Sequence, residues 1–167
     1  AIKEGVEIVK LNREAIRRVA AEPEAFSMGI IITALQGLAA WLEPTSLRAW
    51  ELFTNPLLAI FWLFVFTAVL HFVALLLGGR GEYMALLRVA GVAHVLGWVL
   101  IVPWLGKLAC LLWSPVVAVV VLQEVYRLDQ FKAIMCVVMP VMVLVFLGVV
   151  LVTAVFSLTT LSFLFGI

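Results

Sequence analysis

The sequence predicts an all-α membrane protein: a polytopic helix bundle with about five transmembrane spans, preceded by an amphipathic helix at the membrane surface. Two observations carry this. Hydrophobic residues make up 66% of the 167 and charged residues 13%. A soluble domain is nearer half and a quarter, and has no interior large enough for this much apolar side chain. The apolar residues also fall in long runs, cut by short loops that hold most of the charge. The net charge of +1 is too balanced to suggest a nucleic-acid partner.

Residues 1–22 form the first unit. At 100° per residue, Ile8, Leu11, Ala15, Ile16 and Val19 gather on one face. Lys3, Lys10, Arg13 and Arg17 gather on the opposite one. Such a helix suits a bilayer interface, apolar side down and basic side toward headgroups. The alternatives are a solvated helix, or one packed on another domain. Charge throughout this segment leaves no apolar core for a cleavable signal peptide. Pro23 ends the helix.

Residues 23–167 form the membrane domain, with spans expected at about 25–42, 56–77, 83–105, 108–125 and 133–157. The first is the shortest. Its small residues Gly29, Thr33, Gly37 and Ala40 recur every three or four positions, a stripe that permits close helix packing in lipid. Pro56 fits the first turn of the second span, where its missing N–H costs nothing. Trp41 and Trp50 flank the loop between these spans, as an aromatic belt would. The glycines of "GGRGEYMALLRVAG", from Gly78, make a tight turn into the third span, and Tyr83 marks the interface. A turn at Gly106–Lys107 leads to the fourth span, and "YRLDQFK" leads out of it. The last run, 133–167, has no charge. It is too long for one span and is expected to end near "SLTT" at 157–160, with a re-entrant segment as the alternative.

Nine Lys and Arg fall on the side of the N-terminus and two, Arg48 and Lys107, on the other. The positive-inside rule then puts the N-terminus in the cytoplasm and the C-terminus outside.

Ionisable residues inside spans are functional candidates, because a charge at the bilayer centre costs about 2.5–3.5 kcal/mol or more. Arg88 lies a few residues past the glycine turn, and Gln123 and Glu124 lie at a similar depth. Arg88 is expected to pair with Glu124 or to reach back to the headgroups; direct ligand binding is the third reading. His71 and His94 are expected at one depth on neighbouring helices. They would bind haem, relay protons, or hydrogen-bond adjacent helices. Cys110 and Cys136 read as small buried hydrophobes, and no metal or cofactor is expected. Phosphate-binding loops, H-E-x-x-H and G-x-S-x-G are missing from the sequence, so no hydrolytic or transfer chemistry is expected.

One set of features comes in a fixed order. Gly-Gly-x-Gly and an aromatic precede Leu-Arg-Val at 87–89. Val-Pro-x-x-Gly follows at 102–106, Leu-Trp at 112–113, Leu-Gln-Glu-Val-Tyr at 122–126, Lys-Ala at 132–133, then Pro140. This order resembles the Yip (Ypt-interacting protein) domain family, prokaryotic type. The basic opening helix with Arg17, Arg18 and Pro23 is also similar, and the resemblance spans about residues 10–155. Gly91 and His94 depart from it, where many members have Tyr-Ala and a nearby Pro. The resemblance implies five spans and a cytoplasmic N-terminus. Eukaryotic members associate with prenylated Rab GTPases. That partner is not expected here, because Asp-Leu-Tyr-Gly-Pro does not precede the first span.

The expected function is non-enzymatic: an accessory or scaffold subunit in a prokaryotic plasma membrane, acting through other membrane proteins or a second copy. Its contact surfaces would be the small-residue stripe and the basic helix. One alternative is a small transporter with His71, Arg88, His94 and Glu124 around a polar cavity. The other is a redox anchor holding haem or quinone near the histidines.

Overall fold

A computed structural model describes residues 2–41, 49–102 and 104–165. Among these it shows seven α-helices: α1 (Ile2–Val9), α2 (Arg13–Ala21), α3 (Ala25–Trp41), α4 (Glu51–Leu76), α5 (Tyr83–Ala93), α6 (Leu105–Tyr126) and α7 (Gln130–Phe165). A 3-10 segment, His94–Ile101, continues α5. Four stretches are long and apolar enough to cross a membrane: Glu51–Leu76, Tyr83–Leu100, Leu105–Tyr126 and Gln130–Ala154. The shorter α3 joins them, and the result is the all-α membrane bundle that composition predicts. Large apolar side chains such as Phe61, Leu111 and Leu144 face outward. Lipid tolerates that surface, whereas water would drive it to associate.

The N-terminal unit differs from expectation. It is two helices, because Leu11 takes a left-handed φ of 64° and Asn12 caps a new helix. The Asn12 side chain accepts from the backbone N–H groups of Glu14 (3.1 Å) and Ala15 (3.3 Å). Such a cap satisfies donors that the helix itself leaves open. The apolar face meets protein rather than lipid. Ile8, Ala15, Ile16 and Val19 are at most 1% exposed and belong to the main core. α1 packs on α5 and the 3-10 segment, and α2 packs on α5 and α6.

The small-residue stripe also turns inward. Gly29 crosses Gly91 of α5 so closely that a Cβ on Gly29 would lie 3.1 Å from the Gly91 Cα. Gly37 sits against the Asn55–Pro56 backbone of α4, and Thr33 is fully buried. The Ala40 side chain lies outside the described residues, as do Trp41's, Glu43, Arg48 and Pro103.

Several boundaries shift. α4 begins at Glu51, so Pro56 is inside it. Gly106 is already helical, and the turn lies just before Leu105, where Trp104 has φ 63°. α7 does not end at 157–160 and does not re-enter. It continues to Phe165, 36 residues, or about 54 Å at 1.5 Å per residue. Among its described side chains, only those of the first turns, at Ala133, Cys136 and Val137, are buried against the bundle.

Candidate functional site

The glycine turn forms one wall of the site. Gly78 has φ +85°, which suits a residue without a side chain. Gly81 lies against the Val125 carbonyl and the Tyr126 ring, where a Cβ would come within 2.6 Å and 2.8 Å. The Arg80 backbone N–H donates to the Tyr126 carbonyl at 3.1 Å. The turn thus closes over Tyr126, which is 1% exposed. Its hydroxyl is hydrogen-bonded to His71 Nδ1 at 2.5 Å. The His71 ring also packs edge-on to Tyr83. Tyr83 itself turns in to α4, donating to the Phe64 carbonyl at 3.3 Å.

Glu124 is the centre of the next group. Its side chain is 6% exposed. Arg13 Nη1 donates to one carboxylate oxygen at 2.7 Å, and Arg17 Nε to the other at 2.5 Å. Arg13 Nη2 reaches Gln123 Oε1 at 3.3 Å. Two guanidiniums on one carboxylate satisfy both its oxygens, which a charge in low dielectric requires.

Arg88 does not pair with Glu124. Its Nη1 donates to the carbonyl of Ala20 at 2.9 Å. That carbonyl lies in the last turn of α2. Helix ends leave such carbonyls unpaired and carry partial negative charge, so a cation is favourable there. The expected pair does not form because α2 supplies both partners: Glu124 takes its opposite charges from α2, and Arg88 takes α2's end. Arg88 Nε is buried with no partner among the described residues.

A fourth tie is Trp113 Nε1, which donates to the Val9 carbonyl at 2.8 Å. Nearby, the acids of α1 are paired. Glu4 meets Arg18 at 3.5 Å, and Glu7 accepts from Asn12 (3.2 Å) and Lys10 (3.4 Å). The Asn12 amide, with help from Lys10, holds the Glu7 carboxyl below its ordinary value. Lys3, Lys10, Arg13 and Arg17 remain on the exposed side, but Arg13 and Arg17 spend donors on the bundle as well as facing outward.

His94 stands apart from these. Its Nδ1–H donates to the Ala90 carbonyl of its own helix at 2.7 Å. It lines a cavity of about 380 Å³ among α3, α4, the 3-10 segment and α6. The five polar residues picked out in the spans therefore fall into separate neighbourhoods. Gln123 and Glu124 hold α2, Arg88 caps it, His71 meets Tyr126, and His94 faces the cavity. Among the described residues no group of three His, Cys, Asp or Glu could hold a metal. Cys110 and Cys136 are free thiols donating to the carbonyls of Leu96 and Leu70.

Sequence reasoning missed Tyr126 and Trp113. The signal for Tyr126 was the pair of glycines that makes room for its ring; Trp113 offered none, since an indole in a span usually faces lipid.

A family model described as the Yip1 domain matches residues 7–164. Neither the curated proteins nor the solved structures contain a match to the chain.

Proposed function

The chain belongs to the Yip1 domain family, and on that premise we propose that it is a non-enzymatic membrane protein acting as an accessory or scaffold subunit for other membrane proteins. One observation carries this reading. Two charged groups of the spans, Glu124 and Arg88, are committed to holding α2 on the bundle, and Trp113 ties the end of α1 beside it. A charge kept in a span at this cost serves a purpose, and here the purpose is to fix a surface.

That surface carries both signs. Lys3, Lys10, Glu14 and Arg18 are exposed along it. Interspersed charges on a rigid support favour recognition by a complementary protein over a bare lipid surface. The small-residue stripe is spent inside the bundle and is not the contact surface. The excess of Lys and Arg supports a cytoplasmic N-terminus, with the surface on the cytoplasmic side; a prokaryotic plasma membrane is the setting proposed with it. A transporter built around His71, Arg88, His94 and Glu124 finds little support, because these residues do not share one cavity. A two-histidine haem site has the same difficulty, since the two rings bond Tyr126 and Ala90.

The test is extraction in mild detergent followed by identification of copurifying proteins. One stoichiometric membrane partner is expected, lost in the Lys3→Glu/Lys10→Glu variant. A chain that purifies alone and moves a solute across reconstituted vesicles overturns the reading.

A further inference from the structure

The cavity beside His94 shares no lining residue with the hydrogen bonds and ion pairs that hold α1 and α2, and its chemistry is distinct. At about 380 Å³ it is at the small end of the range for small-molecule sites, roughly 300–1,000 Å³. Its lining is mostly apolar, with Gln36, Thr67, His94, Cys110 and Ser114 as the polar exceptions. Two of these have their donors occupied. Thr67 donates to the Leu63 carbonyl at 2.7 Å, and Cys110 to the Leu96 carbonyl at 3.4 Å.

His94 contributes an acceptor. The Ala90 carbonyl can only accept, so Nδ1 carries the proton; a second proton would place a charge in a mostly apolar lining, which leaves Nε2 as a lone pair. Among the described residues the lining includes no Lys, Arg, Asp or Glu. A charged headgroup would be buried there without a counter-charge, so the ligand is neutral. It must also bring a hydrogen-bond donor for His94.

A second observation marks the same place. The helix changes from α to 3-10 at His94 and stays so through Ile101. Runs of 3-10 beyond three or four residues are uncommon, and within a span they mark a functional or strained position. Gly97 lies in this segment directly under the Gln36 side chain, where any Cβ would collide with it. The absence of a side chain at 97 lets the Gln36 amide lie along the cavity wall.

We propose that this cavity binds a neutral, membrane-soluble alcohol: an apolar body with one hydroxyl that donates to His94 Nε2. The bilayer is the source of the ligand, and Gln36 is the second polar contact for the same hydroxyl.

Cys110 and Cys136 supply the test. Cys110 lines the cavity, whereas Cys136 is fully buried and outside it. The purified full chain in nanodiscs is treated with N-ethylmaleimide, and each thiol is followed by mass spectrometry. Dodecan-1-ol is expected to slow modification of Cys110. Dodecyl methyl ether, which lacks the donor, should need about ten-fold more for the same protection, the cost of one unmade buried hydrogen bond. His94→Leu should make alcohol and ether equal, and Ala118→Phe, which fills the cavity, should abolish protection by both. The thermal midpoint gives a second reading that does not need Cys110 to react: the alcohol should raise it more than the ether does. Equal effects of alcohol and ether on the native protein would overturn the proposal, as would a stronger effect of dodecanoate, or no effect of any of them on either readout.

Discussion

Replacing Glu124 with Ala should release α2 from the bundle without unfolding the bundle itself. The magnitude follows from the geometry. Glu124 is 6% exposed and accepts at 2.7 Å and 2.5 Å from arginines whose side chains are 57% and 70% exposed. A hydrogen bond to a charged group is worth about 1.5–3 kcal/mol when buried, and a fully exposed ion pair about 0–1. With the acceptor buried and both donors half in water, each bond falls between, near 1 kcal/mol, or about 2 kcal/mol for the two. That corresponds to roughly a 30-fold shift in the docking equilibrium. Native-state amide exchange in nanodiscs reads it directly. Exchange across Arg13–Ala21 should accelerate by about that factor, with α5 nearly unchanged. The Arg13→Ala/Arg17→Ala variant should do the same without touching α6. Unchanged exchange in α2, or equal acceleration in α5 and α6, would refute the reasoning.

Three other outcomes follow from the same contacts. Arg88→Met should loosen the last turn of α2 by about 1 kcal/mol, less than a full charged hydrogen bond because it also removes a buried, unpartnered Nε; amide exchange at Ala20 and Ala21 measures it. Tyr126→Phe should lower stability by about 1–2 kcal/mol through the lost bond to His71, seen as a lower thermal midpoint in detergent. Glu7 has a folded-state pKa below its ordinary value of 4.5, so its contribution to α1 is present at neutral pH and disappears as the pH falls through the lowered value. Acid-induced loosening of α1, followed by exchange, should be smaller in Glu7→Gln.

Helical class and the four long apolar runs were legible because they depend on composition and run length, which packing does not alter; the expected first span is the shorter apolar helix α3. The N-terminal segment was misread in an instructive way. Its hydrophobic face was visible at helical spacing, but periodicity reports only that a face is buried, not whether lipid or protein covers it. The break at Leu11 had a local signal, Asn12 ahead of Arg13-Glu14-Ala15, which is a cap as much as a helix interior. Arg88 and Glu124 were expected at similar depth, but a shared depth does not name a partner. The helix that both of them bond comes from the other end of the chain, 68 residues from Arg88 and more than 100 from Glu124. The change to 3-10 at His94 left no mark in the apolar pattern of Tyr83–Leu100, because both helix types bury the same residue types.

The account rests on α1 and α2 being docked on the bundle rather than floating at an interface. Gly5 is the probe of that contact: a Cβ there would lie 2.7 Å from the Val92 carbonyl oxygen of α5, too close for the two helices to stay packed. Ala is also a better helix former than Gly by about 1 kcal/mol, so Gly5→Ala separates the two arrangements by sign. In nanodiscs it should speed amide exchange across Ile2–Val9, with α4 unchanged. Slower exchange across Ile2–Val9 in Gly5→Ala, as a helix free of the bundle would show, would contradict the docked arrangement.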